Sequence, residues 1–306
     1  MIAYTDKLTV VFREGLRRRR VTAVDDVTLE VHEGDFFALL GPNGAGKSTT
    51  LYCWLGLLRP TSGTARVFGQ SARRGSPIFR DIAYLPEEPH YHDYLTVEEA
   101  VVYYAGLYGT PTPRGRITEV LERLGLAAAR ERRVAACSKG MKQKVGIAQC
   151  LLHQPKLVFL DEPMRGLDPV TVKEFRDVLV ELNRSGVTII MNSHMLSEVE
   201  LVANRAAVLA NGRLVAMDRL ERLVRVQDEV YSIEVDRLDT VPNFFTTESS
   251  ANGRLGGTIP ATRLYEFMDL ARMRGASVAS CRLKQATLEE AFLALVDSAN
   301  RRTGDV

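Results

Sequence analysis

"DFFALLGPNGAGKST" runs from Asp35 to Thr49, and its reading decides the fold. Its first half is a short continuous apolar run, the pattern of a strand buried on both faces. A glycine-rich turn follows, and then a helical pattern from about Lys47 to Leu58. The turn fits G-x-x-x-x-G-K-[ST], a loop whose backbone N–H groups curl around phosphate oxygens. Gly41, Gly44 and Gly46 permit that close approach, and the helix behind them points its positive end at the anion. The candidate phosphate loop is therefore Gly41, Pro42, Asn43, Gly44, Ala45, Gly46, Lys47, Ser48 and Thr49. Lys47 is placed to reach the β- and γ-phosphates of a nucleotide, and Ser48 to ligate Mg²⁺.

Outward from this unit, short apolar runs alternate with helical patterns through residue 218, the mark of an α/β domain. "DIAYL" (81–85), "LVFLD" (157–161) and "VTIIMNS" (187–193) read as further core strands. "AAVLANGRLVA" (206–216) reads as a hairpin turning at Asn211-Gly212. Residues from about 90 to 155 are more helical, and Thr96 opens a capping-box pattern there. After Asp218 the pattern changes: "EVYSIEV" (229–235) and "SVASCRL" (277–283) are candidate strands, and "ATRLYEFMDLARMRG" (261–275) is a candidate helix. A second capping box starts a helix at Thr287, and "NFFTTESSANGRLGG" (243–257) reads as turns. The expected organisation is one α/β domain over 1–218, with a helical subdomain, and a small α+β appendage over 219–306.

Composition narrows the function classes. The 306 residues carry a net charge of only +2, so no bulk polyanionic partner is implied. The cysteines, Cys53, Cys137, Cys150 and Cys281, form no C-x-x-C pair, so neither zinc nor a disulfide framework is suggested. No signal peptide opens the chain, and no stretch is apolar enough to span a bilayer. If the protein works at a membrane, another chain supplies the span.

"KLVFLDEP" ends its apolar strand in two acids. Asp161 is placed to hold Mg²⁺, and Glu162 to polarise an attacking water. Phosphoryl transfer needs both functions, and neither residue is a nucleophile itself.

Taken in order, "GPNGAGKST", "YLPEE" (84–88), "CSKGMKQK" (137–144), "LVFLDEP", "GLDP" (166–169) and "NSH" (192–194) resemble the motif series of the ABC ATPases. The closest likeness is to ATP-binding subunits of bacterial ABC-2-type exporters. That likeness includes "YLPEEPHYHDYLT" and the terminal "ATLEEAFLAL". The resemblance implies a P-loop ABC-type nucleotide-binding domain, with a mixed sheet core and a helical subdomain. It also implies ATP and Mg²⁺ as cofactors and a head-to-tail homodimer with ATP sandwiched between the chains. In such a dimer Ser138 and Gly140 would close over the γ-phosphate held by the second chain. Asp168 would sit at the dimer interface, and His194 would contact the γ-phosphate. Phe12 stands where an aromatic residue stacks on adenine, with a core position on an edge strand as the alternative. Glu87 stands where most ABC proteins carry a glutamine that approaches Mg²⁺. The signature itself departs from Leu-Ser-Gly-Gly-Gln at Cys137, Lys139 and Met141. The implied partner is an integral membrane permease on a separate chain, and the implied location is the cytoplasmic face of the inner membrane. The competing reading is a soluble ABC-type ATPase acting on nucleic acid or an assembly machine. Against it, the chain has neither heptads nor cysteine clusters.

Weaker signals have blander readings. The "RRRR" run (17–20) reads first as a solvated charge run and second as a headgroup contact. His32, His90, His92 and His153 lack metal-ligand spacing, and "AVVYYAGLYG" (100–109) reads as helix core rather than a ligand cage.

Overall fold

Five apolar runs assemble side by side as five of the strands of a six-stranded sheet. The computed structural model describes all residues except 15–18, 74, 108, 110–112, 225–229, 239, 252, 285–286 and 305–306. The described chain forms two compact units, Met1–Leu220 with Leu295–Val306, and Glu221–Ala294.

The first unit contains strands β1 (Ala3–Glu14), β2 (Arg19–Val31), β3 (Phe36–Leu40), β4 (Ser62–Val67), β5 (Ile82–Leu85), β6 (Leu157–Asp161), β7 (Thr188–Asn192), β8 (Arg205–Ala210) and β9 (Arg213–Arg219). Its helices are α1 (Lys47–Trp54), α2 (Val97–Gly106), α3 (Arg114–Arg123), α4 (Lys139–Leu152), α5 (Pro169–Arg184) and α6 (Leu196–Val202). The main sheet has the order β5-β6-β7-β3-β8-β9, parallel except for the last strand. Every residue of β3, β6 and β7 is buried, as expected of parallel strands covered on both faces. A second, antiparallel sheet, β2-β1-β4, closes one side of the core. Phe37, Leu39, Leu51, Trp54 and Phe159 meet Leu8, Val24 and Leu29 in that core. Each such buried Leu or Phe contributes about 1.5–3 kcal/mol. Trp54 also donates its indole N–H to the Tyr4 carbonyl at 3.0 Å, which satisfies its one polar atom.

Local signals read from the sequence recur here. Asn211 and Gly212 both have positive φ, 51° and 77°, the requirement of a type I′ turn between β8 and β9. The Thr96 capping box is formed at α2 in both directions. Helix α1 is shorter than its pattern: it stops at Trp54, with Gly56 at φ 67° just beyond.

The helices α2, α3 and α4 bury Val101, Val120, Leu121, Val145 and Leu151. The tyrosine-rich stretch divides: Val101 and Ala105 are core, whereas Tyr103 is half exposed. Rings of His92, Tyr94, Tyr103 and Tyr104 stack or meet edge-on, with centroids 5.0–6.1 Å apart. Of the arginine run, Arg19 and Arg20 are exposed on β2, and Arg17 and Arg18 lie outside the described residues.

The second unit takes in α7 (Leu220–Val224), β10 (Val230–Asp236), β11 (Thr246–Ala251), β12 (Arg254–Pro260), α8 (Leu264–Met273), β13 (Ser277–Lys284) and the start of α9 (Leu288–Gly304). Its antiparallel sheet has the order β11-β12-β10-β13. Ile233, Val235 and Ile259 pack with Phe267 and Ala271 of α8, and Phe245 stacks on Phe267 at 5.4 Å. The stretch 243–257, expected to be turns, supplies β11 and the start of β12. Its Thr, Ser and Gly content hides the strands, because β11 lies at the sheet edge and is exposed along 246–250.

Candidate active site

Three sequence motifs meet because β3, β7 and β6 are neighbours running the same way. The loop after β3, the acids ending β6 and the "NSH" ending β7 therefore share one edge of the sheet. In open α/β sheets, ligands bind outside the carboxyl ends of the strands. The register is direct: Asp161 pairs opposite Asn192, and Asn192 opposite Leu39.

At the loop, Gly46 precedes α1 with φ 99°, and a Cβ there would lie 2.5 Å from the Ala23 carbonyl oxygen. Backbone conformation and space both exclude a side chain. The first N–H groups of α1 have no intrahelical acceptor and face the loop end, which suits an anion. Lys47 is buried, and its Nζ donates to the carbonyls of Gly41 at 2.7 Å and Pro42 at 3.2 Å. Burial lowers its pKa, while the charges of Glu162 and Asp161 act the other way.

Asp161 is 4% exposed and accepts three hydrogen bonds. Ser48 Oγ at 3.2 Å and Asn192 Nδ2 at 3.1 Å donate to Oδ1, and the Tyr52 hydroxyl at 3.1 Å donates to Oδ2. Glu162, the next residue, has φ 47°, uncommon for a non-glycine residue and often found where a side chain is held for function. Its Oε2 lies 2.6 Å from His194 Nδ1 and accepts the His194 backbone N–H at 3.3 Å. A carboxylate oxygen accepts from an N–H, so the pairing puts the proton on Nδ1 of a half-exposed ring. Glu162 and His194 are thereby held as a pair beside the loop.

Sequence reading missed Tyr52 and Asn192. The signal existed: Tyr52 is four residues after Ser48 on one helix face, and Asn192 begins the "NSH" motif. Burial raises the pKa of Tyr52, and Asp161's charge adds to this, so the hydroxyl stays a donor. The Tyr84 hydroxyl, on β5, is raised by the same two causes.

Other candidate residues stand apart from this cluster. Ser138 caps α4, accepting the Met141 N–H at 3.2 Å. Asp168 caps α5, accepting the Val170 and Thr171 N–H groups at 3.1 Å and the Thr171 hydroxyl at 2.6 Å. The Thr171 bonds hold the Asp168 carboxyl below its ordinary pKa. Gly140 packs against that same threonine: a Cβ there would sit 2.5 Å from Thr171 Cγ2. Among the described residues no hydrogen bond or ion pair joins Ser138, Gly140 or Asp168 to Lys47, Ser48, Asp161, Glu162 or His194.

Glu87 is not drawn to Ser48 or Asp161. Its carboxylate pairs with the Arg165 guanidinium, and its carbonyl accepts from Gln143 at 2.7 Å. Phe12 is 38% exposed, which removes the core alternative. It pairs opposite Val21, two residues along β2 from the Ala23 carbonyl that abuts Gly46.

The sequence pattern of the ABC transporter family matches residues 24–165. An uncharacterised ABC transporter ATP-binding protein of Nostoc sp. is 36% identical over 300 residues, covering 95% of this chain and 89% of that protein. The chain belongs to the ATP-binding proteins of ABC transporters. It is an ATPase of that family, with ATP as its nucleotide. The fold agrees with that of a solved ATP-binding subunit of an ABC transporter, 32% identical with a TM-score of 0.63. That likeness covers 74% of this chain and 92% of the other. The bacitracin transport ATP-binding protein BcrA of Bacillus licheniformis is 39% identical over 194 residues, 63% of each chain. Within this ABC ATP-binding protein, no helix among the described residues is long and apolar enough to cross a membrane.

Proposed function

We propose that this ATP-binding protein powers an ABC-2-type exporter, as a head-to-tail homodimer docked on a separate membrane-spanning permease at the cytoplasmic face of the inner membrane. The observation that carries this reading is the division of the polar motifs into two groups. One group, Ser48, Asp161, Glu162, Asn192 and His194, is joined by hydrogen bonds at the strand ends, with Lys47 bonded to the loop carbonyls beside them. The other, Ser138, Gly140 and Asp168, is bonded only to its own helix starts. In a head-to-tail dimer the second group of one chain would complete the first group of the other.

The geometry supports the following roles. The loop 41–49 cradles the phosphates, and Lys47 exchanges its loop carbonyls for phosphate oxygens. Phe12 stacks on the adenine. The oxygens of Ser48 and Asp161 lie side by side, a hard donor set that fits Mg²⁺. Mg²⁺, when bound there, spreads the charge of the phosphates. Glu87 is outside this set, because Arg165 neutralises its carboxylate. Glu162 orients the attacking water and takes its proton, and His194, held by Glu162, presents Nε2 toward the γ-phosphate. Ser138 and the N-terminus of α4 stabilise the partner's phosphate without any covalent step. Support for a transport role comes from the likeness to BcrA, named for bacitracin transport.

The test is Glu162→Gln. Turnover is expected to fall at least about 100-fold with ATP still bound, the usual worth of a general base. An ATP-dependent dimer should then accumulate in size-exclusion chromatography. A mild-detergent pull-down of that variant from host membranes should recover one multi-span protein in near-stoichiometric amount. Normal turnover removes the role of Glu162, and recovery of only soluble proteins or nucleic acid removes the exporter reading.

A further inference from the structure

The loop and the strand ends account for two of the three donors on Asp161. The third comes from inside helix α1. Ser48 and Tyr52 are four residues apart, so they lie one above the other on the helix face turned toward β6. They reach opposite oxygens of one carboxylate: Ser48 Oγ bonds Oδ1 and the Tyr52 hydroxyl bonds Oδ2. Asn192 adds a second bond to Oδ1. Tyr84, on β5, is the next hydroxyl group beside this carboxylate, close enough to feel its charge. A phenylalanine at 52 would fill the same volume, so the hydroxyl is needed for something other than packing.

We propose that Tyr52 is a positioning residue of the nucleotide–metal site, locking the rotation of Asp161. The inference rests on the proposed reading that Ser48 and Asp161 face Mg²⁺. A carboxylate anchored at one oxygen can swing about its terminal bond, since that torsion is broad. Donors on both oxygens fix its plane. Ser48 can then turn its hydroxyl oxygen to a cation while Asn192 and Tyr52 keep Asp161 in place. Partners behind a metal ligand are typically worth about 10–100-fold in metal affinity.

The experiment titrates Mn²⁺, a paramagnetic stand-in for Mg²⁺, into the full chain with a non-hydrolysable ATP analogue. Electron paramagnetic resonance follows the bound metal. Analogue affinity in EDTA is measured separately, as a check on folding and on the loop. Tyr52→Phe is expected to weaken Mn²⁺ binding about tenfold and to broaden the spectrum of the metal that remains bound. Its analogue affinity in EDTA should match wild type. Ser48→Ala serves as the reference for the metal site. If Ser48→Ala loses Mn²⁺ and Tyr52→Phe binds it as wild type does, the positioning role is overturned and the metal reading stands. If both bind as wild type, the metal reading falls as well. Should Tyr52→Phe not fold, Tyr52→Met decides: weakened Mn²⁺ binding supports the proposal, and wild-type binding overturns it.

Discussion

At the ends of β3, β6 and β7, polar side chains bond to one another across long stretches of chain. Ser48 reaches Asp161 over 113 residues, and Asn192 and His194 reach Asp161 and Glu162 over 31 and 32. At the starts of α4 and α5, the bonds are short: Ser138 to Met141 and Asp168 to Thr171, each three residues on. The first arrangement brings acids, an amide, a lysine and a histidine together at a cost that only a shared ligand explains. The second satisfies ordinary helix ends, and any well-capped pair of helices could show it. Burial sharpens the contrast: Lys47, Asp161 and Glu162 are nearly covered, whereas Asp168 lies in the open. The lesson is that the strand-end group should act within one chain, and the helix-start group should matter only when another chain is present.

The strongest way to break this comparison is to remove one member of each group. Lys47→Ala should weaken nucleotide binding by the dilute, monomeric chain roughly 10- to 100-fold, the worth of a charge-assisted bond. Ser138→Ala should leave that monomer affinity unchanged and lower ATP turnover, measured at concentrations that permit dimers, by roughly tenfold. Equal losses of monomer affinity in both variants would erase the distinction. A finer probe is Gly140→Ala, whose new methyl meets Thr171 Cγ2 while the Thr171 hydroxyl is held by Asp168. The clash should cost about 1–3 kcal/mol of stability in denaturant unfolding, with no partner present. Adding Thr171→Ser removes the methyl, keeps the hydroxyl and should restore most of the loss. The smallest effect concerns Asp168, whose folded carboxyl lies below its ordinary value of 3.8 because of its Thr171 bonds. A depressed acid contributes stability above its unfolded pKa and loses it as pH falls through the folded one. Asp168→Ala should therefore lower the melting temperature by on the order of 1–3 °C at neutral pH, with the gap closing below about pH 3.8. A gap that stays constant with pH would remove the charged cap from the account.

Much of the active site was legible before any coordinates, though not evenly. The loop after β3, the acids ending β6 and the histidine after β7 each announce themselves by residue type within a few positions. Phe12 was legible as an aromatic on a strand, but its exposure depended on the sheet it joined. Glu87 shows the limit more sharply. Its place in "YLPEE" suggested a metal-facing oxygen, yet Arg165 lies 78 residues further along and takes the carboxylate. The strand β11 was hidden because threonine and serine at an exposed sheet edge carry no apolar alternation, and the start of β12 because its paired glycines carry none either.

The sequence by itself determined the local devices: the glycine loop, the two capping boxes, the Asn211-Gly212 turn and the apolar runs that became buried strands. These depend on dihedral preference, capping chemistry and hydrophobic period, all read within a few residues of chain. The tertiary structure alone decided which strand stands beside which. From that order came the register of Asp161 with Asn192, the approach of Tyr52 and Tyr84 to the carboxylate, the capture of Glu87 by Arg165 and the contact of Gly140 with Thr171. The physical reason is that hydrogen-bond partners far apart in the chain are selected by packing, and packing answers to the whole core rather than to any one segment.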